Sequence, residues 1–186
     1  MSTMFRNLNR IVAAGLAIVM FSLPCAADDA GLEALYQRLQ TAERAEALQI
    51  GVQIQKEIVK SGSPSMDLLL KRGRDALEIA DYHAAIAHLT ALTDHAPDFA
   101  EGWHARSVAY ARAGLYGPAL DDIERALALR PRHFAAIYSL GALLEQVGQP
   151  DLAREAYTRV LAIHPYFEDV TDALSRLDGD IGGAEL

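Results

Sequence analysis

Cysteine, cationic charge, aromatics and long apolar runs are all scarce in this chain. The one cysteine, Cys25, stands in a segment that reads as a removable leader. Once that leader is cut after Ala27, no thiol remains for a disulfide, a nucleophile or a metal ligand. Basic residues number 17 against 25 acidic ones in 186 residues. Without Arg6 and Arg10 the balance is 15 against 25, a net charge near −10. Nucleic acid needs a basic surface and is a poor partner for such a chain. Aromatics make up 7%, and the Val-, Ile- and Thr-rich runs that mark strands are missing, whereas alanine and leucine abound. This composition favours helices.

Catalytic patterns are missing too. No Gly-x-Ser-x-Gly elbow, phosphate loop or dinucleotide fingerprint is present. None of His83, His88, His95, His104, His133 and His164 pairs at i, i+4 beside a carboxylate in a zinc motif. The carboxylates are spread along the chain rather than paired. The reading is non-enzymatic, with no cofactor and no metal.

The one long apolar run, Ile11 to Phe21 with Leu23, follows Arg6 and Arg10 and precedes Pro24-Cys25-Ala26-Ala27. It falls short of the ~20 residues that span a bilayer. A basic start, a short apolar run and small residues at Cys25 and Ala27 form a secretory signal over residues 1–27, cut after Ala27. The expected location is the periplasm, with no membrane span after cleavage. The alternatives are an uncleaved anchor, or lipidation at Cys25, for which Ser22-Leu23-Pro24 is a poor context.

What is present is a period. Pro97, Pro131 and Pro165 lie 34 residues apart, and each follows an alanine-rich apolar segment. Counting each proline as position 32 gives units at 66–99, 100–133 and 134–167. Position 4 holds Leu69, Trp103 and Ile137. Position 8 holds Gly73, Ser107 and Gly141, and position 20 holds Ala85, Ala119 and Ala153. Small residues at 8 and 20 let two helices of a hairpin approach closely. Position 24 holds Leu89, Ile123 and Tyr157, which fill the space beside them. Helices are predicted at 66–79, 83–95, 100–113, 117–129, 134–147 and 151–163, with turns at Ala80-Asp81, Gly114 and Gly148. Arg106 at position 7 faces Asp122 at position 23, and the spacing predicts an ion pair inside the second unit.

Both flanks are also helical by pattern. Val170, Ala173, Leu174 and Leu177 predict a capping helix on the third unit, followed by a flexible acidic tail over 179–186. Residues 28–64 carry Leu32, Leu35 and Leu39, then Leu48, Val52, Ile54, Ile58 and Val59, before Ser61-Gly62-Ser63-Pro64 breaks the chain. This segment is a helical cap or a degenerate repeat. Its apolar residues cover more than one stripe, which also allows a dimerisation helix.

The 34-residue units resemble the tetratricopeptide repeat (TPR). The resemblance implies an all-α fold, a right-handed α-solenoid of helix-turn-helix repeats with N- and C-terminal capping helices. In that family the first helices of successive units line a concave groove through positions 5, 9 and 12 or 13. Carried over, the groove comprises Leu70, Arg74 and Leu77, then His104, Val108 and Arg112, then Tyr138 and Ala142, with Lys71 on the same face. Lys71, Arg74 and Arg112 would form a cationic patch in an acidic protein, suited to an extended acidic or C-terminal peptide. The clamp that holds heat-shock chaperone C-termini needs Lys and Asn where this chain has Leu70, Arg74, Ala105, Ala135 and Ser139. The implied function is an adaptor or assembly module that binds a protein or peptide in the periplasm. The alternatives are a homodimer built through the N-terminal helices, or a regulatory subunit of a cell-envelope enzyme.

Overall fold

A computed structural model describes the backbone of residues 25–183 and the side chains of residues 30–178. Most of the expected signal segment and the end of the expected tail lie outside them. The described helices are α1 (Cys25–Thr41), α2 (Arg44–Ile58), α3 (Pro64–Glu78), α4 (Tyr82–His95), α5 (Ala100–Arg112), α6 (Tyr116–Leu129), α7 (Phe134–Gln146), α8 (Pro150–Ile163) and α9 (Glu168–Gly183). No strand occurs among the described residues. The fold is the all-α solenoid, and the six repeat helices start and stop within two residues of the predicted bounds. At the C-terminus, α9 runs on to Gly183, so the stretch after Gly179 read as a loose tail begins as helix. The described residues divide into two units, one ending at Ala34 and the other beginning at Leu35. The described part of the first is the helical stretch 25–34. Everything below concerns the second.

Each hairpin closes by the same device. Ala80, Gly114 and Gly148 occupy one register position, and all three have positive φ (58°, 76° and 74°). The next amide reaches back five residues: Asp81 to the Ala76 carbonyl, Leu115 to Tyr110, Gln149 to Leu144. This is the Schellman arrangement, which satisfies carbonyls left open at a helix C-terminus. Alanine at the first turn bears the left-handed strain that glycine avoids at the other two, about 1–2 kcal/mol.

Hairpin packing follows the small positions. A Cβ added at Gly73 would collide with the Leu89 side chain, and one at Gly141 with the Tyr157 ring. Position 8 therefore presses directly on position 24. Ala85, Ala119 and Ala153 are fully buried on the facing helices. Leu70, Ala76, Leu89, Leu92, Ala105 and Ala109 join the first hairpin to the second in one core.

Arg106 and Asp122 form the predicted pair, bidentate at 2.7 and 2.8 Å. Arg106 also donates to Thr93 at 2.8 Å and lies 4.9 Å from the Trp103 ring centre. The hydrogen bonds to Asp122 raise its pKa above the ordinary arginine value. The pair thus ties α5 to α6 and, through Thr93, to α4 of the preceding unit.

Candidate functional site

Of nine predicted groove residues, the structure gathers four. Val108 and Arg112 on α5, with Tyr138 and Ala142 on α7, line one cleft of about 520 Å³. These two helices place i and i+4 residues on one face, so both pairs point the same way. Ile123 and Leu143, both nearly fully buried, close its floor. Tyr116, Ser139 and Gln146 complete the wall. The groove positions of the first helices do not include Tyr116, because it enters from the start of α6, the second helix of its unit. Tyr138 is held by rings on either side, 5.7 Å from Tyr157 and 5.5 Å from Phe167. Burial, with Asp169 nearby, raises the Tyr138 pKa, so the phenol stays a neutral donor. Arg112 is exposed and has no ion-pair partner among the described residues.

The other five lie elsewhere. Leu70 is buried in the first core and Leu77 packs beside it. Lys71 is exposed and bonds to Asp75 one turn on, at 2.6 Å. Arg74 reaches from α3 across to Glu101 at the start of α5. His104 turns inward to the same carboxylate and to Ser139 Oγ at 3.0 Å. The expected cationic patch is therefore dispersed: two of its three charges bind carboxylates of this chain.

Glu101 is the centre of a buried cluster. It is 2% exposed, in the first turn of α5. Arg74 holds one carboxylate oxygen, and His133 Nε2 lies 2.7 Å from the other. Burial alone would raise its pKa, but the His104 and His133 imidazoles outweigh that and hold Glu101 well below the usual carboxylate range. His133, fully buried, is pushed below the ordinary histidine value by desolvation, against the opposing pull of Glu101. The donor atoms of Glu101, His104 and His133 lie within 4.8 Å of one another, a spacing that a metal ion can bridge. The hydrogen bonds favour a different filling. The Ala136 amide donates to His133 Nδ1 at 3.3 Å, which places the ring proton on Nε2, against Glu101. That proton sits where an ion would, and Arg74 takes the remaining oxygen. The cluster is a closed charge network that couples three repeats.

Next to this cluster, α2 covers the inner side of the inter-repeat turns. Ala47, Ile50, Gly51, Ile54 and Ile58 form its buried stripe. A Cβ at Gly51 would stand 2.5 Å from His164 Nε2, so glycine lets the helix backbone approach that ring. Arg44 bonds to Glu168 at 2.6 Å, and Val59 packs on the first core. The helix therefore stretches from the first repeat to the C-terminal cap. Tyr36 secures the preceding turn by donating to the Arg132 carbonyl at 2.9 Å.

No protein-family model matches the chain. It is 31% identical over 137 residues to a TPR repeat-containing protein of Rhizobium etli, covering 74% of this chain and 67% of that protein. Among solved structures, the first TPR of Spaghetti, bound to an HSP90 peptide SRMEEVD, is similar with a TM-score of 0.61 at 24% identity. That likeness covers 64% of this chain and 95% of the other. MamA is similar with a TM-score of 0.58 at 23% identity, over 82% of this chain and 84% of its own. Both structural likenesses concern the fold.

Proposed function

The chain belongs to the tetratricopeptide-repeat family, and from that premise we propose that it is a non-enzymatic adaptor. It holds an extended segment of another protein in the cleft between α5 and α7. The observation that carries this reading is the cleft itself: four predicted groove residues converge there around an unpaired arginine. Val108, Ala142 and the faces of Tyr116 and Tyr138 suit an apolar side chain. Arg112 suits a carboxylate next to it, through charge-assisted hydrogen bonds. The Tyr138 hydroxyl and Gln146 offer hydrogen bonds to a peptide backbone.

The Spaghetti domain is seen with an HSP90 peptide. This chain holds Leu70, Arg74, Ala105, Ala135 and Ser139 where the clamp for such termini needs lysine and asparagine, and Arg74 is engaged by Glu101. The ligand proposed here is a carboxylate-bearing peptide met in the periplasm, the compartment implied by the basic, apolar and small-residue order of residues 1–27. Selection from a displayed random-peptide library tests it. Enriched peptides should place Asp, Glu or a C-terminus beside an apolar residue. Arg112→Glu should lose them while folding normally. Binding unchanged by Arg112→Glu and by Tyr138→Ala would refute the cleft as the site.

A further inference from the structure

Helix α2 carries a second apolar stripe that its own fold leaves open. Leu48 and Val52, one turn apart, are 38% and 54% exposed. Of the remaining large exposed hydrophobics, Leu115 and Tyr116 adjoin each other at the start of α6, where Tyr116 lines the Arg112 cleft, and Leu68, Ile79 and Leu152 stand apart in the sequence on other helices or turns. Such isolated residues are ordinary on a surface, whereas a continuous apolar patch calls for a partner. Here the stripe forms one wall of a cleft of about 640 Å³, whose other wall includes Phe134 and Phe167.

The charges at the two ends of this cleft differ in sign. Lys56 marks the end near the C-terminus of α2, and Asp169 the end near its N-terminal half, where Arg44 meets Glu168. Neither Lys56 nor Asp169 has an ion-pair partner among the described residues. An antiparallel copy of α2 has this pattern reversed. A two-fold axis near Val52 sets Lys56 of one copy opposite Leu48 of the other, about 6 Å along the helix from the axis. That is the Asp169 end of the second copy's cleft. The surface is thus complementary to itself, as an isologous interface requires.

We propose that two copies of this chain associate through α2, antiparallel. Leu48 and Val52 fill the paired clefts, and Lys56 of each copy meets Asp169 of the other. The cleft beside α2 shares no lining residue with the Arg112 cleft, although Phe167 of the one stacks near Tyr138 of the other. Sedimentation of the purified protein from micromolar to hundreds of micromolar tests this. The wild type should sediment as a concentration-dependent dimer, and Val52→Glu as a monomer whose thermal melt matches that of the wild type at concentrations too low for dimerisation. Leu152→Glu, an exposed apolar residue elsewhere, should leave the dimer intact. Lys56→Glu and Asp169→Lys should each weaken association about tenfold, and the double variant should regain it. A wild type monomeric throughout, a Val52→Glu dimer, or a double variant no tighter than the singles would overturn the proposal. The first outcome would leave the stripe to a foreign partner.

Discussion

The face shared by α3, α5 and α7 is used differently at its two ends. Toward the hairpin turns, Val108, Arg112, Tyr138 and Ala142 surround an open cleft. Toward the inter-repeat turns, α2 and the Glu101 cluster close the surface. Arg74 and Arg112 show the contrast most directly. Both sit on first helices of their units, and the repeat phase assigns both to one cationic patch. One is tied to a buried carboxylate and the other faces solvent unpaired. Position in a repeat decides where a side chain starts; the neighbouring repeat decides what it finds.

The largest effect should come from reversing these two arginines separately. Arg74→Glu sets a second carboxylate against buried Glu101 and should cost about 2–3 kcal/mol in chemical denaturation, solvent screening part of the repulsion because the Arg74 side chain is 42% exposed. Arg112→Glu should cost no more than about 0.5 kcal/mol, since nothing in the fold contacts its charge. Its loss should appear in peptide binding alone. Equal stability losses in the two variants would remove the distinction between a closed end and an open end.

Acid should attack the closed end selectively. His133 and His164 both have pKa values lowered below the ordinary 6.5 by burial. The unfolded chain therefore takes up protons that the folded chain does not, and stability falls as pH drops below about 6.5. Glu101, held below the ordinary 4.5, adds a second loss of the same sign as pH falls below that value. Each such group contributes a slope of about 1.4 kcal/mol per pH unit within its window. Melting temperatures from pH 8 to pH 2 should be flat at first and then decline. Glu101→Gln should remove the lower limb, and a profile flat throughout would contradict the buried neutral histidines.

The sequence made the repeat framework legible because the framework is local. Gly73 against Leu89 and Arg106 against Asp122 are contacts within one hairpin, each 16 residues apart, and a 34-residue phase locates them. Arg74 joins Glu101 across a unit boundary, 27 residues apart, and His133 reaches Glu101 from the junction with the third unit, 32 residues away. Their meeting depends on how one hairpin leans on the next, which no period encodes. A partial signal was present. Phe99, His133 and Phe167 share one register position, and only the histidine is polar. The course of α2 was the least legible feature. Its two apolar stripes were visible, but which stripe turns inward depends on Gly51 meeting His164, over a hundred residues away.

That contact provides a smaller test of the same contrast. Gly51→Leu forces the α2 backbone away from His164 and should cost about 1–3 kcal/mol by overpacking. Hydrogen exchange should show amides of residues 44–58 losing protection while α5 and α7 keep theirs. Peptide affinity at the Arg112 cleft should not change, because α2 contributes no residue to it. A fall in peptide affinity matching the loss of α2 protection would mean that the two ends act as one site.

The smallest expected effect belongs to Lys71, the third member of the expected patch. Its bond to Asp75 is an i, i+4 pair on the surface of α3, with side chains 69% and 54% exposed. Lysine precedes the carboxylate, the less favourable order for the helix dipole. Solvent screens the pair, and holding two side chains in one geometry offsets part of the attraction. Lys71→Ala should therefore change stability by less than about 0.5 kcal/mol. It should also leave peptide binding as it was, since Lys71 lines neither the Arg112 cleft nor the cleft beside α2. A clear loss of peptide affinity in Lys71→Ala would restore the cationic patch and move the ligand toward α3. An unchanged affinity beside a lost one in Arg112→Glu would assign the charge recognition to the open end of the face.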